Sequence, residues 1–283
     1  MFSASSLQLG LIGDNIAQSL SPRLHRLAGT QAGLSVTYDR LVPAELAMSL
    51  KQVFQYCQNT GYRGINVTYP YKEAVVEMLR IDDPLVRPIG AINTVVFEED
   101  GAVGYNTDYS GFIAAYRAAR GDVETGPVLL IGAGGVGRAV AFGLAALGTK
   151  DLRLMDRDID KAIELANALK TAAPDVNITT ADTFDTSAPG AAGLINCTPV
   201  GMVGYEGTPL PESAMSDAVW AFDAVYTPVK TRFLSDAARQ GLQIISGWEL
   251  FFHQGVRAWA LFANRPVDEA HLRKSLQQSG DIE

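Results

Sequence analysis

Two groups of residues in this chain have the types and spacing to do chemistry. Gly132, Gly134 and Gly137 form a G-x-G-x-x-G run with Ala133, Gly135 and Val136 between them. The apolar run Val128 to Ile131 precedes it, a helix-forming stretch from Arg138 to Leu147 follows, and a second short run ends Leu154-Met155-Asp156. An acid thus stands 24 residues past Gly132. In a βαβ unit the first glycine permits a tight turn, the second lets backbone approach a pyrophosphate, and the third lets helix and strand pack closely. The helix N-terminus then offers free N–H groups to the phosphates. A protein that holds a dinucleotide in this way does redox chemistry. A carboxylate at Asp156 accepts hydrogen bonds from the ribose hydroxyls and repels a 2′-phosphate, and Asp158 adds a second negative charge, although Arg157 could pair with that phosphate. The balance favours NAD as cofactor, with NADP the lesser possibility.

The second group serves proton transfer. Oxidising an alcohol with a nicotinamide cofactor needs an acceptor for the hydroxyl proton, a group that holds the acceptor's charge, and donors that orient the substrate. Polar residues cluster at Ser19-Leu20-Ser21-Pro22, at Asn66-Val67-Thr68-Tyr69-Pro70-Tyr71-Lys72, at Asn93-Thr94 and at Asn106-Thr107-Asp108. Among these, Lys72 and Asp108 combine an amine with a carboxylate. Taken singly, each has a plain alternative: Lys72 as an exposed first-turn lysine and Asp108 as a helix N-cap. Ser19 and Ser21 read either as a turn and a helix cap or as two hydroxyls placed to grip a carboxylate.

The elements that must position these side chains follow from periodicity. In the first hundred residues Leu9 to Ile12 reads as a strand and Pro22 to Ala32 as a helix opened by a Ser-Pro cap. Val36 to Leu41 reads as a strand, Ala44 to Gln58 as a helix, Gly64 to Val67 as a strand, and Pro70 to Leu79 as a helix. Ala91 to Phe97 and Ala102 to Tyr105 flank Glu98-Glu99-Asp100-Gly101 as a hairpin. Asp108 to Arg120 reads as a connecting helix. Beyond the glycine motif come a helix from Lys161 to Ala172, strands near Val176 to Thr179, Leu194 to Asn196 and Trp220 to Asp223, a helix from Lys230 to Gln240 and a strand from Gln243 to Ile245. After Gly247 the pattern is helical, with Trp248 to Phe262 aromatic and Val267 to Gln278 amphipathic. Alternating strands and helices imply α/β architecture with a parallel sheet covered on both faces. In open α/β sheets the strand carboxyl ends form the binding crevice, so the polar segments are expected to converge there.

At 283 residues the chain exceeds the usual single core, and two domains are expected. We place an N-terminal α/β substrate-binding and catalytic domain at 1–107 and a Rossmann-type, doubly wound NAD-binding domain at 108–246. C-terminal helices at 247–283 return to the first domain, with the active-site cleft between the two domains. Its 47% hydrophobic and 19% charged content is that of a soluble globular protein, and a net charge of −8 without Lys/Arg clusters argues against nucleic acid. Cys57 and Cys197 lie far apart in apolar surroundings and read as buried thiols in a reducing compartment. No leader pattern and no apolar run of spanning length is present, so a cytoplasmic enzyme without membrane partners is expected. His25, His253 and His271 are scattered, and no metal site is expected.

Seven ordered segments place the chain. Ser-Leu-Ser-Pro (19–22), Asn-Val-Thr-Tyr-Pro-Tyr-Lys (66–72), Gly-Ala-Ile-Asn-Thr-Val (90–95) and Tyr-Asn-Thr-Asp (105–108) come from the first half. Gly-Ala-Gly-Gly-Val-Gly (132–137), Asn-Cys-Thr-Pro-Val-Gly-Met (196–202) and Asp-Ala-Val-Tyr-Thr-Pro (223–228) come from the second. Together they resemble the shikimate dehydrogenase family over nearly the whole chain. The resemblance implies reversible reduction of 3-dehydroshikimate to shikimate, or of 3-dehydroquinate to quinate, with a nicotinamide cofactor. It implies that Lys72 and Asp108 are the catalytic pair, that Ser19, Ser21 and Tyr226 hold the substrate carboxylate, and that Asn66, Thr68, Asn93 and Gln254 contact ring hydroxyls. It further implies that Thr198, Val200, Met202 and Gly247 join the glycine motif and Asp156-Arg157-Asp158 in holding the cofactor.

The chain departs from the family pattern twice. The motif G-x-x-M-L-x-x-Q appears as Gly247-Trp248-Glu249-Leu250-Phe251-Phe252-His253-Gln254, with leucine for methionine. The Asn-Arg-Thr of NADP-using members appears as Asp156-Arg157-Asp158, which replaces two neutral groups with anions and resembles the NAD-preferring quinate/shikimate branch. The expected partner is a small cyclic polyol carboxylate, and the expected assembly a monomer or homodimer. Quinate or an aminoshikimate-type acid remains an alternative substrate, and a metabolite sensor without turnover is the alternative from another class.

Overall fold

The computed structural model describes residues 6–278. The outer ends of the expected domains, at residues 1 and 283, lie outside the described residues. The chain divides into two compact units: the residues up to Thr107 together with those from Gln254 on, and Asp108–His253.

The first unit opens with β1 (Ser6–Ile12), α1 (Ser21–Gln31), β2 (Ser35–Leu41), α2 (Leu50–Asn59) and β3 (Gly64–Val67), followed by the hairpin β4 (Thr94–Glu98) and β5 (Gly101–Tyr105). The sheet order is β2-β1-β3-β4-β5. β2 and β3 run parallel to β1, whereas β4 and β5 are antiparallel additions. Because the chain winds outward in both directions from β1, the order reverses between β1 and β3, and their carboxyl ends frame a crevice.

Three local expectations are corrected here. Ser21 is the first residue of α1 rather than its cap, with Leu20 in the cap position and Pro22 in the first turn. Its hydroxyl is taken by Ser19 Oγ at 3.2 Å instead. The helix expected from Ala44 begins six residues later, at Leu50. Residues 43–47 form turns with Ala47 at φ 52°, and Ser49 and Gln52 then build a reciprocal capping box. The helix expected from Pro70 to Leu79 is a set of turns ending in a short 3-10 segment, Val76–Met78. An α-helix there needs Val76 N–H to reach Lys72 O, but Lys72 O accepts Ile92 N at 2.8 Å and Val76 N turns to Glu73 O. Tertiary pairing of one carbonyl thereby outcompetes the local pattern.

The second unit begins within α3 (Thr107–Arg120) and continues β6 (Val128–Ile131), α4 (Gly135–Ala146), β7 (Asp151–Met155), α5 (Ile159–Ala172), β8 (Asn177–Ala181), a single turn α6 (Phe184–Ser187), β9 (Gly193–Asn196), β10 (Trp220–Asp223), α7 (Arg232–Arg239) and β11 (Gln243–Ile245). α8 (Gly247–Ala263) starts in this unit and passes into the first, which ends with α9 (Glu269–Gln277). All six strands are parallel, in the order β11-β10-β9-β6-β7-β8. The doubly wound expectation holds, with the winding reversing between β6 and β9. Every residue of β6, β9 and β10 is buried, as helices on both faces require. The turn α6 and a 3-10 segment at Glu212–Ala214 have too few residues to show a period and were not anticipated.

Each unit has its own apolar core. In the first, Leu9, Leu11, Ile16, Tyr38, Val96, Ala258 and Phe262 cover one side of the sheet, and Ile12, Val53, Phe54, Cys57, Ile65 and Val95 belong to a second cluster. In the second, Leu129, Ile131, Leu194, Leu210, Ala221, Phe233 and Leu234 pack together. His25 lies inside the first core, 1% exposed, stacked on Tyr38 at 5.1 Å and flanked by Trp259 and Phe262. Burial pushes its imidazole down to about 3, against a smaller opposing effect of hydrogen bonding to Asn66.

A base held neutral in this way adds stability above its ordinary pKa of 6.5, and that stability is lost as pH falls toward 3. Between pH 7 and 5 the unfolding free energy should therefore fall by about 2 kcal/mol more than that of a His25→Phe variant. Denaturant titrations at several pH values check this. Equal slopes in the two proteins would show that the imidazole is not held neutral.

Candidate active site

In the first unit the side chains gather at the ends of β1, β3 and β4. Asn66, 6% exposed, accepts from Tyr38 Oη at 2.9 Å through Oδ1 and donates through Nδ2 to Thr94 Oγ1 at 3.0 Å and Asn93 O at 3.3 Å. Asn93 donates through Nδ2 to Thr107 Oγ1 at 2.9 Å, and its Oδ1 accepts Thr107 N at 2.7 Å. Thr107 Oγ1 donates in turn to Gln254 Oε1 at 3.4 Å. Asn66, Asn93 and Gln254, separated by up to 188 residues, thus join one buried polar network through Thr94 and Thr107. Unsatisfied amides in such a place cost about 1–3 kcal/mol each, so the pairing fixes side-chain direction as well as stability.

Ser19 and Ser21, both half-buried, form a second pair: Ser19 Oγ donates to Ser21 Oγ and accepts Ser21 N at 3.3 Å. The half-buried Thr68 is fixed through its backbone, with N donating to Ile12 O and O accepting Tyr71 N, both at 2.9 Å. Tyr71 Oη reaches Asp14 Oδ1 at 2.7 Å, tying the segment after β3 to the segment after β1. That bond to a carboxylate pushes the Tyr71 phenol up to about 12.

Lys72 is 8% exposed, which excludes the plain reading of a solvent-exposed lysine. Its carbonyl is bound by Ile92 N, the residue before Asn93. Asp108 is 5% exposed and lies in the first turn of α3, directly after the clamped Thr107, so it is not the helix N-cap. Lys72 belongs to the first unit and Asp108 opens the second.

The glycine motif in the second unit has the form its spacing requires. Gly132 sits at φ 105°, and a Cβ there would lie 2.7 Å from the Cys197 carbonyl carbon. A Cβ on Gly137 would lie 1.8 Å from Gly132 O, whereas one on Gly134 would meet nothing within 4 Å. Gly134 is the N-cap of α4 without a side-chain cap, and Gly135, Val136 and Gly137 form its first turn. This is a glycine cradle with an open face and a helix N-terminus, and it fits a pyrophosphate. Ala133 N donates to Asp156 Oδ2 at 2.7 Å, and Asp158 N donates to Asp156 Oδ1 at 2.9 Å. The half-buried Asp156 therefore links the glycine loop to the start of α5, with Arg157 and Asp158 exposed beside it.

At the ends of β9 and β10 a second buried cluster holds two loops. Asn196 Oδ1 accepts from Thr198 N and Oγ1, while its Nδ2 donates to Val200 O at 3.0 Å and to Asp223 Oδ1 at 2.9 Å. Asp223 also accepts Val225 N at 3.0 Å and Thr231 Oγ1 at 2.6 Å. Burial pushes its carboxyl up to about 6, against these donors, which favour the anion. Thr198, Val200 and Met202 ride on the first loop, half-buried; Tyr226 follows the second and stacks on Phe251 at 4.9 Å. Gly247 packs against that loop, where a Cβ would lie 2.4 Å from Val225 O. Among the described residues no group of His, Cys, Asp or Glu could hold a metal ion.

Sequence reasoning singled out the amides but not what holds them. Tyr38, Thr94 and Thr107 do that, while Asn196 and Asp223 hold the loops after β9 and β10; the available signal was a polar residue within or beside a strand.

Two glycines give opposite expectations. Gly134→Ala should leave the melting temperature unchanged and weaken dinucleotide binding, since its Cβ would occupy the open face. Gly137→Ala should do both harms, with destabilisation of about 1–3 kcal/mol from the clash with Gly132 O. Calorimetric melting and a fluorescence titration with dinucleotide separate the two. Unaltered binding in the Gly134 variant would exclude the cradle as the phosphate site.

Comparison with known proteins agrees with this geometry. Residues 11–95 match the shikimate dehydrogenase substrate binding domain. The chain is 34% identical to the shikimate dehydrogenase (NADP(+)) of an Arthrobacter species, over 95% of this chain and 94% of that protein. It is likewise 34% identical to the quinate/shikimate dehydrogenase (NAD(+)) of Corynebacterium efficiens, over 95% and 96%. Among solved structures, quinate dehydrogenase from Corynebacterium glutamicum in complex with NAD superposes with a TM-score of 0.88 at 32% identity, covering 96% of this chain and 99% of that one. With its two sheets, its glycine cradle and these relatives, the chain belongs to the shikimate dehydrogenase family of NAD(P)-dependent oxidoreductases.

Proposed function

We propose that this enzyme interconverts shikimate and 3-dehydroshikimate by hydride transfer and that it prefers NAD to NADP. The observation that carries the cofactor preference is the Asp156 carboxylate, anchored on Ala133 N and Asp158 N beside the glycine loop. Each oxygen keeps a lone pair for a ribose hydroxyl, and the anion opposes a 2′-phosphate. Gly132 to Gly137, Asp156, Arg157, Asp158, Thr198, Val200, Met202 and Gly247 hold the dinucleotide, which when bound supplies the hydride acceptor or donor.

Ser19, Ser21 and Tyr226 bind the substrate carboxylate, and Asn66, Thr68, Asn93 and Gln254 bind ring hydroxyls. The shared network of Asn66, Asn93 and Gln254 supports this, because amides locked by Thr94 and Thr107 meet a substrate without reorganising. Lys72 takes the proton of the hydroxyl being oxidised through its amine, and Asp108 stabilises the ammonium that results. The burial of both residues supports the assignment, since water would otherwise compete for the proton. Quinate is the second reading, favoured by the likeness to the NAD-bound quinate dehydrogenase. No described helix is long and apolar enough to cross a membrane. Location in the cytoplasm and assembly as a monomer or homodimer complete the proposal.

Steady-state kinetics with shikimate and quinate, each with NAD and NADP, is the direct test. Catalytic efficiency should be at least about tenfold higher with NAD, and Asp156→Asn should narrow that ratio; a preference for NADP would refute the cofactor assignment. Lys72→Ala should lower kcat roughly 10²–10⁴-fold with little change in NAD affinity. Equal losses in rate and affinity would mark the lysine as structural.

A further inference from the structure

We infer that Arg40 is a specificity-determining residue whose guanidinium supplies the positive charge of the carboxylate site at Ser19 and Ser21. The inference rests on the reading of those serines given above. Arg40 lies near the carboxyl end of β2, beside the crevice framed by β1 and β3, and its Nη2 donates to Ser19 O at 2.9 Å. The guanidinium is thus seated on the backbone of the residue whose hydroxyl opens the pair. A guanidinium has five N–H donors, and among the described residues no other protein acceptor is bonded to that of Arg40, nor does any carboxylate lie within ion-pair distance.

Strand alternation explains why the charge stays uncompensated. Asp39, the neighbouring acid, projects to the opposite side of the strand, where its Oδ2 accepts Tyr62 Oη at 2.7 Å. Tyr38 shares the side of Arg40, and its hydroxyl holds Asn66. One face of β2 therefore supports two of the proposed substrate contacts, one through a neutral phenol and one through a cation. The chain as a whole carries a net charge of −8, so an anionic ligand needs locally placed donors or positive charge. Two serine hydroxyls orient a carboxylate but bring no charge to offset that field. A cation fixed at their backbone does, and a guanidinium matches a carboxylate in shape.

The test is kinetic, with Arg40→Gln, which keeps an N–H donor for Ser19 O and removes the charge, and Arg40→Lys, which keeps the charge. At low ionic strength Arg40→Gln should raise KM for the acid substrate about two- to fivefold, the range of an exposed ion pair, with no matching rise in KM for the dinucleotide. The difference should shrink in 0.5 M salt, about where screening becomes severe. Arg40→Lys should stay close to the parent protein. The neutral methyl ester of the same acid should show no difference between parent and Arg40→Gln. A KM for the acid that does not change in Arg40→Gln, or an equal change with the ester, would overturn the inference. Ser19→Ala separates it from the reading beneath it. A raised acid KM in Ser19→Ala alone sinks only the role of Arg40, and no change in either variant sinks the serine site as well.

Discussion

A polar group buried at the end of a β-strand has to find a partner, and both units of this enzyme are organised by that requirement. In the first unit Asn93 satisfies it by clamping Thr107 through both its amide atoms, and Asn66 by engaging Tyr38 and Thr94. In the second, Asn196 and Asp223 satisfy each other and use their remaining capacity on Thr198, Val200, Val225 and Thr231. Low local dielectric makes each unpaired alternative expensive, so the loops beyond the strands are held in one arrangement.

The same constraint links fold to chemistry. The residue after clamped Thr107 is Asp108, and the carbonyl that caps Ile92, next to Asn93, belongs to Lys72. Lys72 and Asp108, which we propose handle the proton, are therefore placed by backbone groups already committed to hydrogen bonds in the buried network. In the nucleotide-binding unit, Asp156 plays a comparable double part: it satisfies two backbone donors, at Ala133 and Asp158, and places an anion beside the cradle. Preorganisation of this kind lets the site meet changes of charge without rebuilding itself.

Much of the fold was legible because its elements follow simple periods. β3, β6, β10 and β11 fall on the expected residues, since short apolar runs bounded by polar or glycine residues have few alternatives in an α/β chain. The helix expected after Pro70 failed because Lys72 O found a distant partner, and the early start expected for α2 failed because Ser49 and Gln52 cap it later. In the candidate site, Asn66, Asn93 and Gln254 were readable as polar residues in a family pattern. Of their supports, Tyr38 was not, and Thr94 and Thr107 were named only as members of polar clusters, because such side chains gain a supporting part only from what they touch.

Sequence alone determined the glycine cradle, the acid beside it, the alternation that makes both sheets, and the family. Those depend on residues close in the chain, or on patterns that composition and order preserve. Tertiary structure decided which hydroxyl serves as a cap and which as a partner, which carbonyl leaves a helix to bind a strand, and which arginine sits on the serine pair. Each of these is a choice between competing hydrogen-bond partners, and distant chain segments settle it only when folding brings them within bonding distance.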